Sequence, residues 1–534
     1  MNQLMSVLLV LVVLLPASAL LPIRSGLSSR SAGRLGALLC GTGFLLSLAI
    51  FCWTAAGNTP SVSLNLPPGG LEFGLTADRV TSALLMLVTG VSCLVQAFAS
   101  RYLEGDLRQR RFFAGAGLLT GATSAMVAAG SLAGLALAWT LSGVAVLGLL
   151  GMYPGLPDAD EGKRRALRAF IGGDLALWAA VVWTSVEWGG LGLGGAGGSA
   201  AAGMLESGGG TVVACLLVVA ALSRSAQLPF KSWLPGTIAV PTPVSALLHA
   251  GVVNAGGILL IKTSFVFASS ALATHIAFFA GAATAVYGTA LMLSKPDVKG
   301  ALAQSTTGQM GFMIMTCGLG AWVATLFHLL AHSMYKASLF LGSGSALSSE
   351  SRRLRAPGPA AGGMPRAGRA IVSVLAPVPP LAGFAILLYP DPNPTSAALL
   401  AFAWATFAWI TDGWLARSPG AKGLAGAASA LTVASGLYVG LLSLASGFFS
   451  QNLAESGAAT VSPAWLLVFV PVAALALAIR TGAVDALAGF RKTAYVALLN
   501  AGQVRRPGTG NRTPVRVPLR DSGAFRPSSQ GARS

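Results

Sequence analysis

Residues 223–262 read SRSAQLPFKSWLPGTIAVPTPVSALLHAGVVNAGGILLIK, and this stretch decides the fold. Its sequence is apolar enough for a membrane, yet helix-breaking residues interrupt it at Pro229, Pro235, Gly236, Pro241 and Pro243. Proline removes a backbone donor and clashes with the preceding turn, so backbone carbonyl and amide groups are freed at membrane depth. Discontinuous helices of transporters direct such groups at a hydrated cavity. The stretch therefore predicts a broken membrane helix beside an ion path.

The composition of the rest of the chain also indicates a membrane protein. Of 534 residues, 54% are hydrophobic and only 10% are charged, against the roughly 25% that is usual in a soluble domain. Apolar runs of about 20 residues, the length that spans a bilayer, recur about fifteen times and lack the alternating polarity of barrel strands. The expected fold is an all-α polytopic membrane protein with about 14–15 transmembrane helices.

The net charge of +18 raises the question of a nucleic-acid partner, and the position of the basic residues answers it. With the predicted helices, all the basic clusters fall on one side of the membrane. Positive charge on cytoplasmic loops is the usual topology signal. The pattern predicts a multi-pass protein of the cytoplasmic (inner) cell membrane with its N-terminus outside and its C-terminus cytoplasmic. These clusters are Arg24 to Arg34, Arg101 to Arg111, Lys163 to Arg168, Arg352 to Arg369 and the tail after Arg505.

The remaining composition argues against a cofactor site in this chain. The five cysteines stand singly inside apolar runs, without a CxxC pair or a histidine at metal-ligand spacing, so no metal site is expected. No phosphate-binding loop and no Ser/His/Asp arrangement is visible, which argues against an enzyme in its own right. Residues 1–22 resemble a secretory signal but lack a basic start, so a first spanning helix is favoured.

The predicted broken helix carries ionisable groups that are costly in a bilayer. His249 lies in an apolar helix predicted over 241–262, with Arg224, Lys231 and Lys262 around it. A histidine titrates near neutral pH and can pass protons on, so an intramembrane histidine is a functional candidate. The alternative for Lys231 and Lys262 is that their ammonium groups reach the interface along apolar stems.

A second polar cluster follows in FHLLAHSMYKASLFLGSGS (327–345). Here His328, His332 and Lys336 recur every four residues, which places them on one face of a helix. Such a file is suited to relaying protons through a bundle. The alternative is that each histidine is satisfied by a neighbouring serine or threonine.

These segments resemble the proton-translocating subunits of complex I and of multisubunit cation/proton antiporters. The resemblance rests on SAQLPF, SWLP and PTPVSALLHA within 225–250, on DVKGALAQST (297–306) and on the 327–345 stretch. It implies an antiporter-like inverted-repeat bundle, with His249 as the channel histidine, Lys299 on the central axis, and His328, His332 and Lys336 as the connecting file. Arg224 stands where that family usually has a channel lysine.

Two departures from that family pattern stand out. The family has a glutamate after the tryptophan of its fifth helix, whereas Thr140 follows Trp139 here, which removes the carboxylate expected to pair with the channel lysine. The second departure is PPLAGFAILLYP (379–390), which has no lysine where the family has one.

The departures are similar to those of the membrane subunit of DAB-type inorganic-carbon uptake systems, as are LLHAGVVNAGG (247–257) and RYLEGDLRQRRFF (101–113). This resemblance implies a subunit that couples the cation gradient to CO2 hydration and bicarbonate accumulation by a large soluble zinc partner similar to β-carbonic anhydrases. It implies no cofactor in this chain. Asn254, Gly256 and Gly257 would set a close contact near His249, or simply allow small-residue helix packing.

An alternative with the same fold is a proton-translocating subunit of a complex I-like NADH:quinone oxidoreductase or of a multisubunit Na+/H+ antiporter. In either case we expect five segments: N-terminal helices over 1–110, a proton-channel core over 111–350, a basic cytoplasmic linker over 351–369, C-terminal helices over 370–500, and a disordered basic tail over 501–534.

Overall fold

A computed structural model describes residues 1–19, 28–65, 72–194, 208–345, 364–388, 394–453, 462, 467 and 488–501. Most of the linker predicted over 351–369, the helix predicted over 463–480 and almost all of the basic tail lie outside these residues. The division into five segments stays a prediction.

Helices dominate the described residues, which confirms the all-α membrane fold class. The first half contains α1 Asn2–Ala17, α2 Ser29–Ala55, α3 Arg79–Tyr102, α4 Gln109–Ala128, α5 Leu132–Leu150, α6 Pro157–Trp188 and α7 Gly208–Arg224. The second half contains α8 Thr242–Leu248, α9 Ala255–Lys262, α10 Ser264–Phe267, α11 Ala271–Ser294, α12 Val298–Gly318, α13 Trp322–Gly342, α14 Arg366–Leu375, α15 Val378–Leu388, α16 Pro394–Arg417, α17 Ala421–Phe449 and α18 Ala488–Ala501.

Eight helical spans among the described residues are long and apolar enough to cross a membrane: Arg30–Ala55, Arg79–Tyr102, Leu132–Leu150, Pro157–Trp188, Ala271–Ser294, Arg366–Leu388, Leu399–Arg417 and Ala421–Asn452. The shorter helices α1 and α7 are apolar as well. Large apolar side chains stay exposed on these helices, including Leu38, Leu94, Val186 and Leu444. Apolar outer faces of this kind match a hydrocarbon surrounding, in which every backbone polar group must be satisfied within the helix.

The long helices begin where short polar side chains can accept the first free amide groups. Asp78 accepts the amide of Thr81 at the start of α3, and Ser131 accepts that of Gly134 at the start of α5. Ser270 caps α11 in the same way, and Asp297 caps α12. Each cap fixes a boundary within two or three residues of the one that hydropathy predicts.

Helix α6 differs from the prediction because it starts earlier. The basic segment Lys163 to Arg168 was expected in a loop, but it forms the second and third turns of a helix that begins at Pro157. Proline is well suited to the first helical position. Glu161 then pairs with Arg164 at 3.1 Å and Arg165 at 2.8 Å on the same face, which stabilises the polar end of the helix.

A two-stranded antiparallel hairpin was not anticipated. It joins β1 Ser61–Asn65 to β2 Glu72–Thr76, between α2 and α3. Its alternation is only five residues long on each strand, too short to distinguish from a loop in the sequence. The hairpin lies at the end of the bundle opposite the loop after α3, because α3 runs from Arg79 next to β2 to Tyr102, about 36 Å at 1.5 Å per residue.

Helices α11 and α12 form a close pair along their length. Glycines occupy the contact: a Cβ at Gly281 would lie 2.5 Å from the amide nitrogen of Met315, and one at Gly288 would lie 2.4 Å from that of Gly308. The same holds at Gly311, where a Cβ would lie 2.4 Å from the nitrogen of Ala285. Backbones that approach this closely exchange dispersion contacts over their whole length, as small-residue interfaces in membranes do.

Candidate functional site

The helix break that was predicted at the prolines between 229 and 243 is present and begins earlier than expected. Helix α7 was predicted to reach residue 230 but ends at Arg224, because Ala226 adopts a positive φ of 52° that a helix cannot accommodate. A 3-10 turn over Pro235–Ala239 and the short α8 follow. The prolines have distinct places: Pro229 follows a cis peptide bond, Pro235 begins the 3-10 turn, Pro241 precedes α8 and Pro243 lies in its first turn.

A second interruption corrects the single helix predicted over 241–262. Helix α8 ends at Leu248 and α9 begins at Ala255, so His249 lies at the end of a short helix and not in the middle of a long one. Asn254 spans the gap, because its Nδ2 donates to the carbonyl of His249 at 3.0 Å. The same amide group donates to Ser333 Oγ on α13 at 2.6 Å. The turn over 249–254 is therefore attached to the helix that carries the other histidines.

Three histidines form a continuous polar file between these elements. The ring centroids of His249 and His332 are 5.4 Å apart, and those of His332 and His328 are 5.6 Å apart. The helical spacing predicted the second contact, and the turn at His249 supplies the first. Phe340 stacks on the His249 ring at 5.1 Å, and Phe312 contacts His328 at 5.0 Å, so aromatic side chains flank both ends of the file.

The file is rich in buried polar atoms that lack a hydrogen-bond partner among the described residues. They are His249 Nδ1, Asn254 Oδ1, both ring nitrogens of His332, His328 Nε2 and Gln309 Oε1. The sequence-based alternative, in which serine or threonine satisfies each histidine, therefore does not hold for His332. Buried polar groups without protein partners are the positions where internal water is found. Ring centroids at 5.4–5.6 Å put successive imidazole rings in direct contact.

The lysines of the prediction fall in different places. Lys336 is buried one turn beyond His332 and donates to the carbonyl of Leu302 at 3.4 Å, so it continues the file. Lys262 ends α9 and donates to the carbonyl of Val127 at 2.7 Å, at the carbonyl end of α4, where a cation is favourable. Lys231 is half-buried, with its Nζ 3.4 Å from the centroid of the Tyr287 ring.

Lys299 does not join the histidines. It lies half-buried in the first turn of α12 and lines a cavity of about 480 Å³ with Tyr102, Asp106, Tyr153 and Pro241. Its assignment to the central axis stays a prediction. In the same cavity the Tyr153 hydroxyl donates a hydrogen bond to the Asp106 carboxylate. Burial is the main cause of a raised pKa of the Tyr153 phenol, and the hydrogen bond to Asp106 raises it further.

Arg224 has a carboxylate partner that the sequence reasoning missed. The guanidinium is fully buried, and its Nη2 donates to Asp174 Oδ1 on α6 at 2.8 Å. The loss of a glutamate at Thr140 was expected to leave this position without a carboxylate, and that expectation is wrong, because the neighbouring helix supplies one. Asp174 was detectable, since it is an acidic residue inside the apolar run that follows Phe170.

The two glycines after Asn254 pack tightly. A Cβ at Gly256 would lie 2.4 Å from Ser225 Oγ and 2.5 Å from the carbonyl oxygen of Ala221 on α7. At Gly257 it would lie 2.6 Å from the sulfur of Met313 on α12. These glycines let α9 lie against two helices at once, as the small-residue alternative anticipates.

Within the described part of the chain, no cluster of three or more histidine, cysteine, aspartate or glutamate side chains has the arrangement of a metal site. The site brings together imidazole, ammonium and guanidinium groups and the carboxylate of Asp174, a set that can move protons and hold charge.

Two protein-family profiles match this chain. Residues 129–389 match the profile described as NADH:quinone oxidoreductase/Mrp antiporter, transmembrane, and residues 66–113 match that of the complex I chain 5 N-terminus. Together the two profiles span more than half of the chain and contain the whole file. The chain belongs to the superfamily of complex I and Mrp antiporter membrane subunits.

Within this superfamily, curated relatives of two kinds match. The chain is 37% identical over 289 residues to the probable inorganic carbon transporter subunit DabB1 of Halothiobacillus neapolitanus, covering 52% of this chain and 51% of the relative. It is 32% identical over 333 residues to NADH-quinone oxidoreductase subunit L of Mycobacterium tuberculosis, covering 60% and 52%. The matches thus span about half the length of these relatives.

Solved structures show the same fold for superfamily members at lower identity. The Mrp complex from Dietzia aligns with a TM-score of 0.62 at 22% identity over 94% of this chain and 60% of that chain. Respiratory complex I from Thermus thermophilus aligns with a TM-score of 0.56 at 21% identity over 92% of this chain and 98% of that chain. The antiporter-like fold is therefore shared across complexes with different names.

Proposed function

We propose that the chain is the proton-conducting membrane subunit of a two-component inorganic-carbon uptake system. The observation that carries the proposal is the buried file of His249, His332 and His328, joined to a doubly broken helix. Similarity to DabB-named relatives supports the uptake role. In this proposal the chain sits in the cytoplasmic membrane with its C-terminus in the cytoplasm.

Proton transfer along the file uses the two nitrogens of each ring. A neutral imidazole takes up a proton at one nitrogen and releases one from the other, so a proton passes without the ring leaving its place. His332 is suited to the central position, because it lies between the other two rings and neither of its buried nitrogens has a hydrogen-bond partner among the described residues. Lys336, next along α13, continues the file with an ammonium group, which disfavours a lasting positive charge on the neighbouring imidazoles.

The partner in this proposal is a large soluble zinc protein similar to β-carbonic anhydrases, and this chain holds no cofactor. Zinc supplies an activated water for CO2 hydration in such a partner. The segment 101–111, which includes the end of α3 and the start of α4, is suited to docking it, since Arg101 and Arg111 are exposed there and attract an acidic surface. Proton flow through the chain would then drive the conformational change that makes hydration one-way.

The second candidate is a proton-translocating subunit of a complex I-like oxidoreductase or Na+/H+ antiporter. The similarity to NADH-quinone oxidoreductase subunit L favours it. The absence of a lysine from 379–390, where this alternative expects one, argues against it.

Affinity purification of the tagged chain from its own membranes, followed by mass spectrometry and a zinc assay, tests the proposal. We expect one large soluble zinc protein to co-purify, and the pair to rescue growth of a carbonic-anhydrase-deficient strain in air. His332→Ala should abolish rescue, whereas His275→Ala should not, because His275 lies half-buried near the start of α11 and its Nδ1 contacts the carbonyl of Ala271 on the same helix. Co-purification of other hydrophobic respiratory subunits without zinc would instead establish the second candidate.

A further inference from the structure

Arg224 occupies a pocket built for a guanidinium. Its carbon Cζ lies 4.2 Å from the ring centroid of Phe170 and 4.8 Å from that of Trp139, so aromatic faces contact the planar cation. Ser142 Oγ accepts from Nη1 at 3.3 Å. Gly143 leaves the necessary space, since a Cβ there would lie 2.9 Å from both Nη atoms.

The carboxylate of Asp174 accepts hydrogen bonds from two side chains. The indole Nε1 of Trp139 donates to Asp174 Oδ1 at 2.8 Å, to the same oxygen that accepts from Arg224. Phe170 stands one turn before Asp174 on α6, so a single helix face presents both the carboxylate and an aromatic wall. Asp174 is the one charged side chain in contact with Arg224 among the residues that the structure describes.

The residues on either side of Arg224 tie this pocket to the broken helix. Ser225 Oγ donates to the carbonyl of Val253 at 2.8 Å, inside the turn that separates α8 from α9. On the other side, the indole of Trp233 donates to the carbonyl of Ser223 at 3.1 Å. The backbone on either side of Arg224 is therefore hydrogen-bonded to the turn that begins at His249 and to the segment that follows α7.

We infer that Asp174 is a positioning residue of the proton path: by pairing with Arg224 it holds a permanent charge pair at the end of α7 and sets the place of the 249–254 turn. The inference rests on the proton-conduction part of the proposed function. A guanidinium does not lose its proton in proteins, so the pair fixes charge and backbone and does not carry protons. The proton path then starts at His249.

Four variants of the full chain, purified with whatever accompanies it, test this role. Asp174→Asn removes the charge and keeps the shape, and Glu187→Gln makes the same chemical change at an exposed site on the same helix. The double variant Asp174→Asn with Ser142→Asp moves the carboxylate to the opposite side of the guanidinium, where the Ser142 oxygen already lies within 3.3 Å. Arg224→Lys keeps the charge but introduces a group that can deprotonate.

Proton flux into liposomes and amide hydrogen exchange over residues 249–254 are measured on each. We expect Asp174→Asn to lower the flux about tenfold or more and to speed exchange in the turn, because a buried cation without a partner must shift towards water. The double variant should regain much of the flux and slow the exchange again. When proton flux is measured as a function of pH, the loss of flux at alkaline pH should begin at a lower pH in Arg224→Lys than in wild type, since a lysine ammonium can lose its proton.

Equal flux and equal exchange in Asp174→Asn and Glu187→Gln would overturn the inference. So would a double variant that is as abundant as wild type yet no better than Asp174→Asn, because the carboxylate of Asp174 itself would then be needed. Exchange in the turn is independent of inorganic carbon. A chain that fails to rescue growth in air but shows the expected exchange pattern therefore contradicts the uptake proposal and leaves this inference standing.

Discussion

His332 is the residue through which the file passes, with His249 on one side and His328 on the other. Substitution by alanine removes the middle link, and we expect proton flux to fall by on the order of 10²-fold or more, as for other lost proton-transfer groups. Stability should change little, because neither ring nitrogen of His332 has a hydrogen-bond partner among the described residues. Flux and melting temperature measured together separate the two effects. A variant that melts much earlier than wild type would mean that His332 is structural.

Gly143 offers a residue-scale test of the guanidinium pocket. Alanine there would place a methyl group 2.9 Å from both Nη atoms of Arg224, and overpacking of this kind costs about 1–3 kcal/mol. Gly148→Ala on the same helix is the matched control, because a Cβ at Gly148 meets nothing within 4 Å. We expect thermal unfolding in detergent to shift down for the first variant and to stay or rise for the second. Equal shifts would show that the pocket is not tightly packed.

For individual residues, the sequence predicted which side chains share a helix face better than it predicted which side chains pair across helices. His328, His332 and Lys336 share a face because of their spacing, which any helix preserves. The partner of Arg224 depends on which helices pack together, and no local pattern specifies that Asp174 on α6 faces α7. The rule that a lone carboxylate in an apolar helix signals function would still have selected it.

Among the elements, the turn over 249–254 depends on its packing against α4. A Cβ at Gly251 would lie 2.1 Å from Cγ2 of Thr123, so Gly251→Ala should destabilise the protein by about 1–3 kcal/mol. Thr123→Ser removes that methyl group, and the double variant should recover most of the lost stability and flux. Differential scanning fluorimetry of both single variants and the double variant measures the coupling. Additive losses would place the effect of Gly251→Ala elsewhere than at Thr123.

The first break was predictable and the second was not, for a physical reason. Prolines between 229 and 243 cannot continue a helix, and this is visible in the sequence. HAGVVN contains no proline and reads as apolar helix, yet the turn forms because the Asn254 side chain replaces backbone hydrogen bonds and reaches Ser333. That contact joins residues 79 positions apart.

For the whole molecule, the charge pattern makes a prediction about sidedness. Leu107 is exposed in the basic loop after α3, and Ser61 is exposed in the hairpin at the opposite end. In a background with the five native cysteines replaced, a membrane-impermeant thiol reagent should label Ser61→Cys in intact cells and Leu107→Cys only in inverted vesicles. Labelling of Leu107→Cys in intact cells would reverse the topology. The predicted orientation of the helix bundle in the membrane would then be wrong.

The glycine contact between α11 and α12 determines which part of the molecule can move. The backbones of α11 and α12 are in contact at Gly281, Gly288 and Gly311 and cannot slide past one another without a clash. The two helices are therefore expected to move as one rigid unit. Any movement in a proton-driven cycle is then expected outside this helix pair. The chain from residue 225 to residue 254 contains two short helical fragments, the 3-10 turn Pro235–Ala239 and α8, joined by loops, so we expect displacements to occur here. In such a cycle α11 and α12 would stay fixed relative to each other, and small backbone displacements would occur in the broken segment that carries His249.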